Sequence, residues 1–133
     1  MRLRSSAALL VLLWAAGCGG EDSSFTEDYN RAVKPIASLG GDLGDSAAAY
    51  DDLARRATRT GRNLARLDPP DGATDELRRL RAGLARVTRS LEAFASATRE
   101  KDPVLQRQAA RRLVRWNEEF GRAETALHRA VGG

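Results

Sequence analysis

The chain has 133 residues, 30% of them charged, with a formal net charge of +4, a single cysteine and a single histidine. This length fits one domain, and one cysteine excludes an internal disulfide, so apolar packing must stabilise the fold. Arginine supplies 20 of the 22 basic residues. With the abundant alanine, this indicates the codon usage of a GC-rich bacterial genome, so the number of arginines is not itself a sign of function.

The chain begins with the features of an export signal. Arg2 and Arg4 precede a 10-residue apolar run, residues 7–16, and small residues follow it. A helix that spans a bilayer needs about 20 apolar residues, twice as many as this run contains. We therefore interpret residues 1–17 as a signal peptide that is removed on export.

The end of that run, Ala15-Ala16-Gly17-Cys18, resembles the lipobox of bacterial lipoproteins, although Ala15 stands where leucine is usual. The resemblance implies cleavage between Gly17 and Cys18, a diacylglyceryl group on the Cys18 sulfur and acylation of the new amine. An unpaired cysteine in an exported protein needs such an explanation, and two or more acyl chains make a stable anchor. The alternative is an ordinary secretion signal followed by a stray thiol.

Removal of the leader leaves 116 residues, which we divide into a lipidated tether at 18–24 and a helical bundle at 25–131. The tether reaches at most about 20 Å, so the bundle should lie close to the membrane. Residues 18–76 carry 7 basic and 12 acidic side chains, whereas residues 77–133 carry 13 basic and 6 acidic ones. We therefore expect acidic early helices to lie beside basic late ones.

The first half of the mature chain has apolar residues at spacings of four and three, as in helical bundles and coiled coils. Pro35 should kink the first helix, and Gly44 followed by Asp45 and Ser46 indicates a helix end and a new N-cap. Because the seam keeps its phase across Gly44, one long helix from about Phe25 to Leu67 is an alternative. The two seams are Phe25, Tyr29, Val33, Ile36 and Leu43, then Ala47, Tyr50, Ala54, Ala57, Gly61, Leu64 and Leu67.

Two longer helices should follow the proline-rich turn after Leu67. We expect the Thr74 hydroxyl to cap the third helix, and Asp102, followed by Pro103, to cap the fourth. Their seams are Leu77, Leu80, Leu84, Val87, Leu91 and Phe94, then Leu105, Ala109, Leu113, Trp116, Phe120, Ala123 and Leu127. The sequence thus predicts an all-α, antiparallel up-and-down bundle of four helices, or of three if the first two are fused.

The mature part also resembles a class of small helical bacterial lipoproteins. The shared features are Tyr29-Asn30 followed by Pro35, the turn Leu67-Asp68-Pro69-Pro70, and two plain amphipathic helices after it. This resemblance spans most of the mature chain. It implies no activity, because none is established for the class.

Catalytic and metal-binding patterns are missing from the sequence. Nucleophilic catalysis needs a base beside the nucleophile, and this chain has one histidine and no free thiol once Cys18 is acylated. His128 follows Glu124 by four residues, but a metal site needs three or four ligands. We expect a protein that is not an enzyme and binds no cofactor or metal.

Arg107, Arg111 and Arg115 recur every four residues on the predicted fourth helix. Such a basic stripe can bind phosphate groups, and anionic lipid or an acidic wall polymer are candidate partners. Because the chain is exported, we expect no nucleic-acid partner. The competing interpretation is that these arginines face acidic side chains of the earlier helices, or water.

Small residues of the second helix, Ala54 and Ala57 among them, should oppose large ones such as Trp116 and Phe120. Such an arrangement is typical of close interlocking, although a groove for an apolar ligand is the alternative. We expect a lipid-anchored protein on the extracytoplasmic face of the membrane, with a structural or protein-interaction role in the cell envelope. The alternative is a module that binds an apolar or anionic envelope ligand.

Overall fold

The computed structural model describes residues 23–37 and 46–132, and in these ranges it contains four α-helices and no strand. They are α1 (Ser23–Ala37), α2 (Ala47–Ala65), α3 (Thr74–Arg99) and α4 (Pro103–Gly132). Each helix packs against the next one in the chain, most extensively α3 against α4 and least extensively α1 against α2. The predicted all-α bundle of four helices is confirmed. α1 begins two residues before the predicted start of the bundle.

α1 and α2 lie side by side. The Asn63 side-chain amide of α2 donates a hydrogen bond to the Ala32 carbonyl oxygen of α1 at 3.3 Å. A continuous helix would hold these two residues about 45 Å apart, so the alternative of one long helix from Phe25 to Leu67 is wrong. Pro35 lies in the last turn of α1. The predicted helix end at Gly44 lies outside the described residues, as do Leu43 and Asp45.

Contacts between the longer helices show their antiparallel order. The rings of Tyr50 and Phe94 pack with centroids 4.4 Å apart, and further along α2 Gly61 lies beside Leu84. α2 therefore runs opposite to α3. A Cβ added at Gly83 would lie 3.6 Å from the Phe120 Cα, so this glycine lets α3 and α4 approach closely.

The core consists largely of the predicted seam residues. Tyr50, Phe94 and Trp116 are half-buried. The prediction for Leu105 is wrong, because its side chain is 42% exposed; it lies beside Ala93 and Ala97 of α3, which are too small to cover it. The large, fully buried side chains include Tyr29, Val33, Ile36, Leu64, Leu80, Leu84, Val87, Leu91, Phe120 and Leu127.

α2 buries a wider face than its predicted seam. Leu53 and Thr60 are completely enclosed, although neither belongs to the predicted series. The reason is that α2 packs against both α1 and α3. A helix that packs between two other helices needs apolar or small residues on two adjoining faces. A single line of apolar residues is enough for contact with only one helix.

Two of the predicted helix starts carry no side-chain cap. Ser46 occupies the N-cap of α2, as expected, but its hydroxyl makes no capping hydrogen bond. At α3 the prediction is wrong: Ala73 is the N-cap and Thr74 is already helical. The free N–H groups there lie beside Asp75 and Glu76 in the first turn, whose carboxylates suit the positive end of a helix.

The start of α4 is capped as predicted. The Asp102 carboxylate accepts hydrogen bonds from the backbone N–H groups of Val104 at 3.0 Å and Leu105 at 3.1 Å. Pro103 is the first helical residue, where its missing N–H costs nothing. Just before it, Lys101 has a φ of 55°, which allows the chain to reverse between α3 and α4 within three residues.

Candidate functional site

The predicted anchor cannot be placed against the helices. Gly17, Cys18 and the tether up to residue 22 lie outside the described residues. The described candidate site therefore lies on the bundle, whose α4 helix carries the predicted arginines.

Arg107, Arg111 and Arg115 are all exposed on α4. Within the described ranges, none of them forms an ion pair with an acidic side chain. The interpretation in which they face acids of the earlier helices therefore finds no support among these residues. From Pro103 to Asn117 the chain contains four arginines and no acidic residue, so their charges reinforce one another.

Two valines interrupt this basic stripe. Val104 is 51% exposed and Val114 is 49% exposed. Val104 lies three residues before Arg107, and Val114 lies three residues after Arg111. At this spacing the two valines and the three arginines project from one side of α4. We call this set the α4 outer face: Val104, Arg107, Arg111, Val114 and Arg115. It combines positive charge with exposed apolar area.

The basic surface continues onto α3. The Arg86 guanidinium carbon lies 4.6 Å from the centre of the Trp116 ring, which is a favourable cation–π arrangement. Arg86 thereby covers the exposed part of Trp116, whose other side packs against the core. Arg89 of α3 and Arg112 of α4 are also exposed.

Ion pairing elsewhere in the described ranges is mostly local. Arg56 contacts Asp52 at 2.9 Å and Arg122 contacts Glu119 at 2.7 Å, each within one helical turn. Arg99 of α3 pairs with Asp51 of α2 across the helix interface. The expected pairing of early acids with late arginines is thus seen at this contact, while the arginines of the α4 outer face take no part in it.

The small seam residues of α2 are enclosed. Ala54 and Ala57 are buried, and a Cβ added at Gly61 would meet the Leu84 side chain at 3.9 Å. A surface groove between α2 and α3 is lined mainly by charged side chains, including Asp51, Arg59 and Glu92. These features favour interlocking of the helices over an apolar binding groove at this seam. The predicted opposition to Trp116 and Phe120 is not seen: the large side chain beside Gly61 is Leu84 of α3, and no α2 Cα lies within 8 Å of an α4 Cα.

A buried polar pair in the core was not predicted. The Tyr29 hydroxyl of α1 donates a hydrogen bond to Glu124 Oε2 of α4 at 2.6 Å. Tyr29 is 0% exposed and Glu124 is 2% exposed. A signal was present in the sequence, because Glu124 lies four residues after Phe120 and three before Leu127, which places it on the buried face.

The environment of this pair keeps the tyrosine protonated. Burial raises the pKa of the Tyr29 phenol far above its ordinary value, and the neighbouring Glu124 charge and the hydrogen bond to it raise the pKa further. Tyr29 therefore remains a hydrogen-bond donor at pH values where an exposed tyrosine would ionise. An enclosed donor and acceptor of this kind have no access to a substrate and join α1 to α4.

Metal ligands do not converge within the described residues. No group of three or more His, Cys, Asp or Glu side chains is close enough there to hold a metal ion. His128 is exposed near the end of α4. None of the described helices has the length and apolarity needed to cross a membrane.

The chain has no match among protein-family models, curated proteins or solved structures.

Proposed function

We propose that the chain is a lipid-anchored protein on the extracytoplasmic face of a bacterial membrane, with a structural or protein-interaction role in the cell envelope and without catalysis. The observation that carries this proposal is the position of Cys18. It is the single cysteine, and it directly follows a basic start, a short apolar run and small residues. These are the features expected of an export leader that ends in lipid modification.

The described bundle supports a non-catalytic role. Its core is filled by enclosed apolar side chains, and the buried carboxylate of Glu124 is engaged by the Tyr29 hydroxyl. A catalytic acid usually lines an open cleft that a substrate can enter. Here the acid is enclosed and joins two helices, which favours a structural role for it.

Metabolic labelling with palmitate tests the anchor. The wild-type protein should incorporate the label, Cys18→Ala should not, and Ser24→Ala should behave as the wild type because an exposed serine just inside α1 carries no lipid. Mass spectrometry of the labelled protein should find a mature chain that begins at Cys18. Equal labelling of wild type and Cys18→Ala would refute the proposal.

Cross-linking in intact cells tests the interaction role. Wild-type protein should form a discrete covalent adduct with another envelope protein, identified by mass spectrometry. The adduct should be lost in Cys18→Ala, which is not held at the membrane. An identical adduct in both would show that anchoring does not determine the partner.

Binding of an anionic envelope ligand is the second candidate function. The α4 outer face favours it, because its arginines are exposed and form no ion pairs within the described ranges. The enclosed Ala54 and Ala57 give no comparable support to an apolar ligand at the α2 seam.

A further inference from the structure

We infer that the α4 outer face rests on the anionic headgroups of the membrane to which the chain is anchored, so that the bundle lies with its long axis along the bilayer surface. This inference rests on the proposed lipid anchor at Cys18. It adds a second contact with the membrane and a defined orientation, neither of which an anchor alone provides.

Charge is the first support. Arg107, Arg111 and Arg115 are exposed, and the segment from Pro103 to Asn117 contains no acid. The next acids along α4, Glu118 and Glu119, pair with Arg122. Anionic lipids create a negative surface potential that attracts basic side chains within about 10 Å of the headgroups. Three arginines on one side of one helix can approach such a surface together.

Apolar exposure is the second support. Among the large apolar side chains of the described ranges, the exposed ones are Val104, Leu105 and Val114, and all three belong to the first half of α4. Val104 and Val114 lie on the same side as the three arginines. Basic and apolar side chains that are mixed in this way suit the boundary between headgroups and acyl chains better than they suit open water.

The placement of the helices is the third support. The hydrogen bond between Tyr29 and Glu124 sets the first half of α1 beside the second half of α4. Cys18 precedes Ser23 by five residues and can lie no more than about 18 Å from it. Going back along α4 from Glu124, Val114 and Val104 are about 15 and 30 Å away.

Ser23, where the described part of the chain begins, and the α4 outer face therefore lie toward opposite ends of the bundle. The α4 outer face extends about 15 Å along the side of its helix, so all of it can contact a flat bilayer only if α4 lies roughly parallel to the membrane plane. In that orientation α2 points away from the membrane, because no α2 Cα lies within 8 Å of an α4 Cα.

Three arginines at the C-terminal end of α2 form a natural comparison. Arg59 and Arg62 lie on α2, Arg66 is its C-cap, and all three are exposed. Two of them, however, line a groove that contains Asp51 and Glu92, and no large exposed apolar side chain accompanies them. These three arginines carry the same charge as those of the α4 outer face, but we expect them to contribute little to membrane contact because acids and no exposed apolar side chains accompany them.

Site-specific fluorescence in vesicles tests the orientation. Full-length acylated protein carrying Val114→Cys or Thr58→Cys would be labelled with an environment-sensitive fluorophore and reconstituted into phosphatidylcholine vesicles with or without 30% phosphatidylglycerol. Thr58 is exposed on α2 at about the same height in the bundle as Val114. Lipids with a quencher in the acyl chain report which label touches the bilayer.

We expect severalfold stronger quenching at position 114 than at position 58 in vesicles that contain phosphatidylglycerol. The difference should disappear without the anionic lipid and in 1 M salt, where the screening length is about 3 Å. Arg107→Gln, Arg111→Gln and Arg115→Gln together should abolish it. Arg59→Gln, Arg62→Gln and Arg66→Gln, the same change in charge, should preserve it.

Equal quenching at the two positions, or stronger quenching at 58, would overturn the inference. Quenching at 114 that ignores salt and the three α4 substitutions would also overturn it, because the contact would then not depend on charge. If the label at 114 stays unquenched in vesicles but is shielded from a soluble quencher in intact cells, a protein or wall polymer covers this face and the inference is wrong.

Failure of the anchor would be recognised separately. Acylated protein should float with the vesicles in 1 M salt whatever its orientation, and Cys18 should not react with the labelling reagent. Protein that leaves the vesicles in salt and takes label at Cys18 would refute the anchor itself. Flotation without selective quenching at 114 would refute the orientation alone.

Discussion

Glu124 is an acid buried in the core, and its Oε2 accepts a hydrogen bond from the Tyr29 hydroxyl. The two residues are 95 positions apart in sequence and 2.6 Å apart at their oxygens. Removing the donor of a buried hydrogen bond costs about 1–3 kcal/mol. The pair therefore joins α1 to α4 through a contact whose loss is expensive.

The stability of Tyr29→Phe relative to the wild type should depend on pH. At pH 7 we expect the variant to lose about 1–3 kcal/mol of unfolding free energy, because the Glu124 carboxylate keeps its burial and loses the hydroxyl donor. The advantage of the wild type should persist up to about pH 10, the ordinary pKa of tyrosine. Denaturant titrations of both proteins at several pH values measure it.

Above pH 10 that advantage should shrink. The unfolded wild type loses its Tyr29 proton there, whereas the folded protein retains it because its pKa is raised. The wild type should therefore lose about 1.4 kcal/mol per pH unit relative to Tyr29→Phe. A constant difference from pH 7 to 11 would contradict the raised pKa. The double variant Tyr29→Phe, Glu124→Met should be more stable than Tyr29→Phe alone, because an apolar side chain then replaces the buried carboxyl group that lost its tyrosine donor.

At the scale of the element, the start of α4 depends on one side chain and the start of α2 does not. Asp102 accepts two backbone hydrogen bonds at the start of α4, whereas Ser46 makes none with its side chain at the start of α2. The two positions look alike in sequence, since each is a good capping residue before a helix. They form a natural matched pair.

Asp102→Ala should therefore lower the free energy of unfolding by about 0.5–2 kcal/mol, because two N–H groups of the first turn lose their acceptor. Ser46→Ala should change it by clearly less. Thermal or denaturant unfolding monitored by far-UV circular dichroism measures both. A larger loss in Ser46→Ala than in Asp102→Ala would contradict the capping geometry.

Across the whole molecule, α1 is the least supported helix. It has 15 residues, and its Cα atoms come within 8 Å only of those of α2 among the described helices. Isolated helices of this length are marginal in water. Its place in the bundle depends on buried side chains, on the Asn63 hydrogen bond and on the contact between Tyr29 and Glu124.

Amide hydrogen exchange should show that α1 is the least stable of the described helices. We expect amides in the interior of α1 to exchange roughly 10-fold faster or more than those of Leu84 to Leu91 in α3, because α1 can open while the other helices stay packed. Tyr29→Phe should speed exchange in α1 more than in α3. Equal protection of α1 and α3 in the wild type would mean that the bundle opens as one unit.

The sequence by itself determined the all-α class and the two long helices that follow Leu67. Apolar residues that recur every three or four positions identify the buried face of a helix. Asp102 followed by Pro103 marks a helix start through local chemistry alone. These signals act over a few residues, so they need no knowledge of the fold. The leader and Cys18 are of the same local kind, and lipid modification there stays a prediction.

Only the tertiary structure decided what depends on neighbours. It separated α1 from α2 through the contact of Asn63 with Ala32, exposed Leu105 at the flank of α4, and left the α4 arginines without ion pairs in the described ranges. It also brought Tyr29 to Glu124. Burial and pairing are properties of two or more helices together, and the pattern along one helix does not specify which helix will face it.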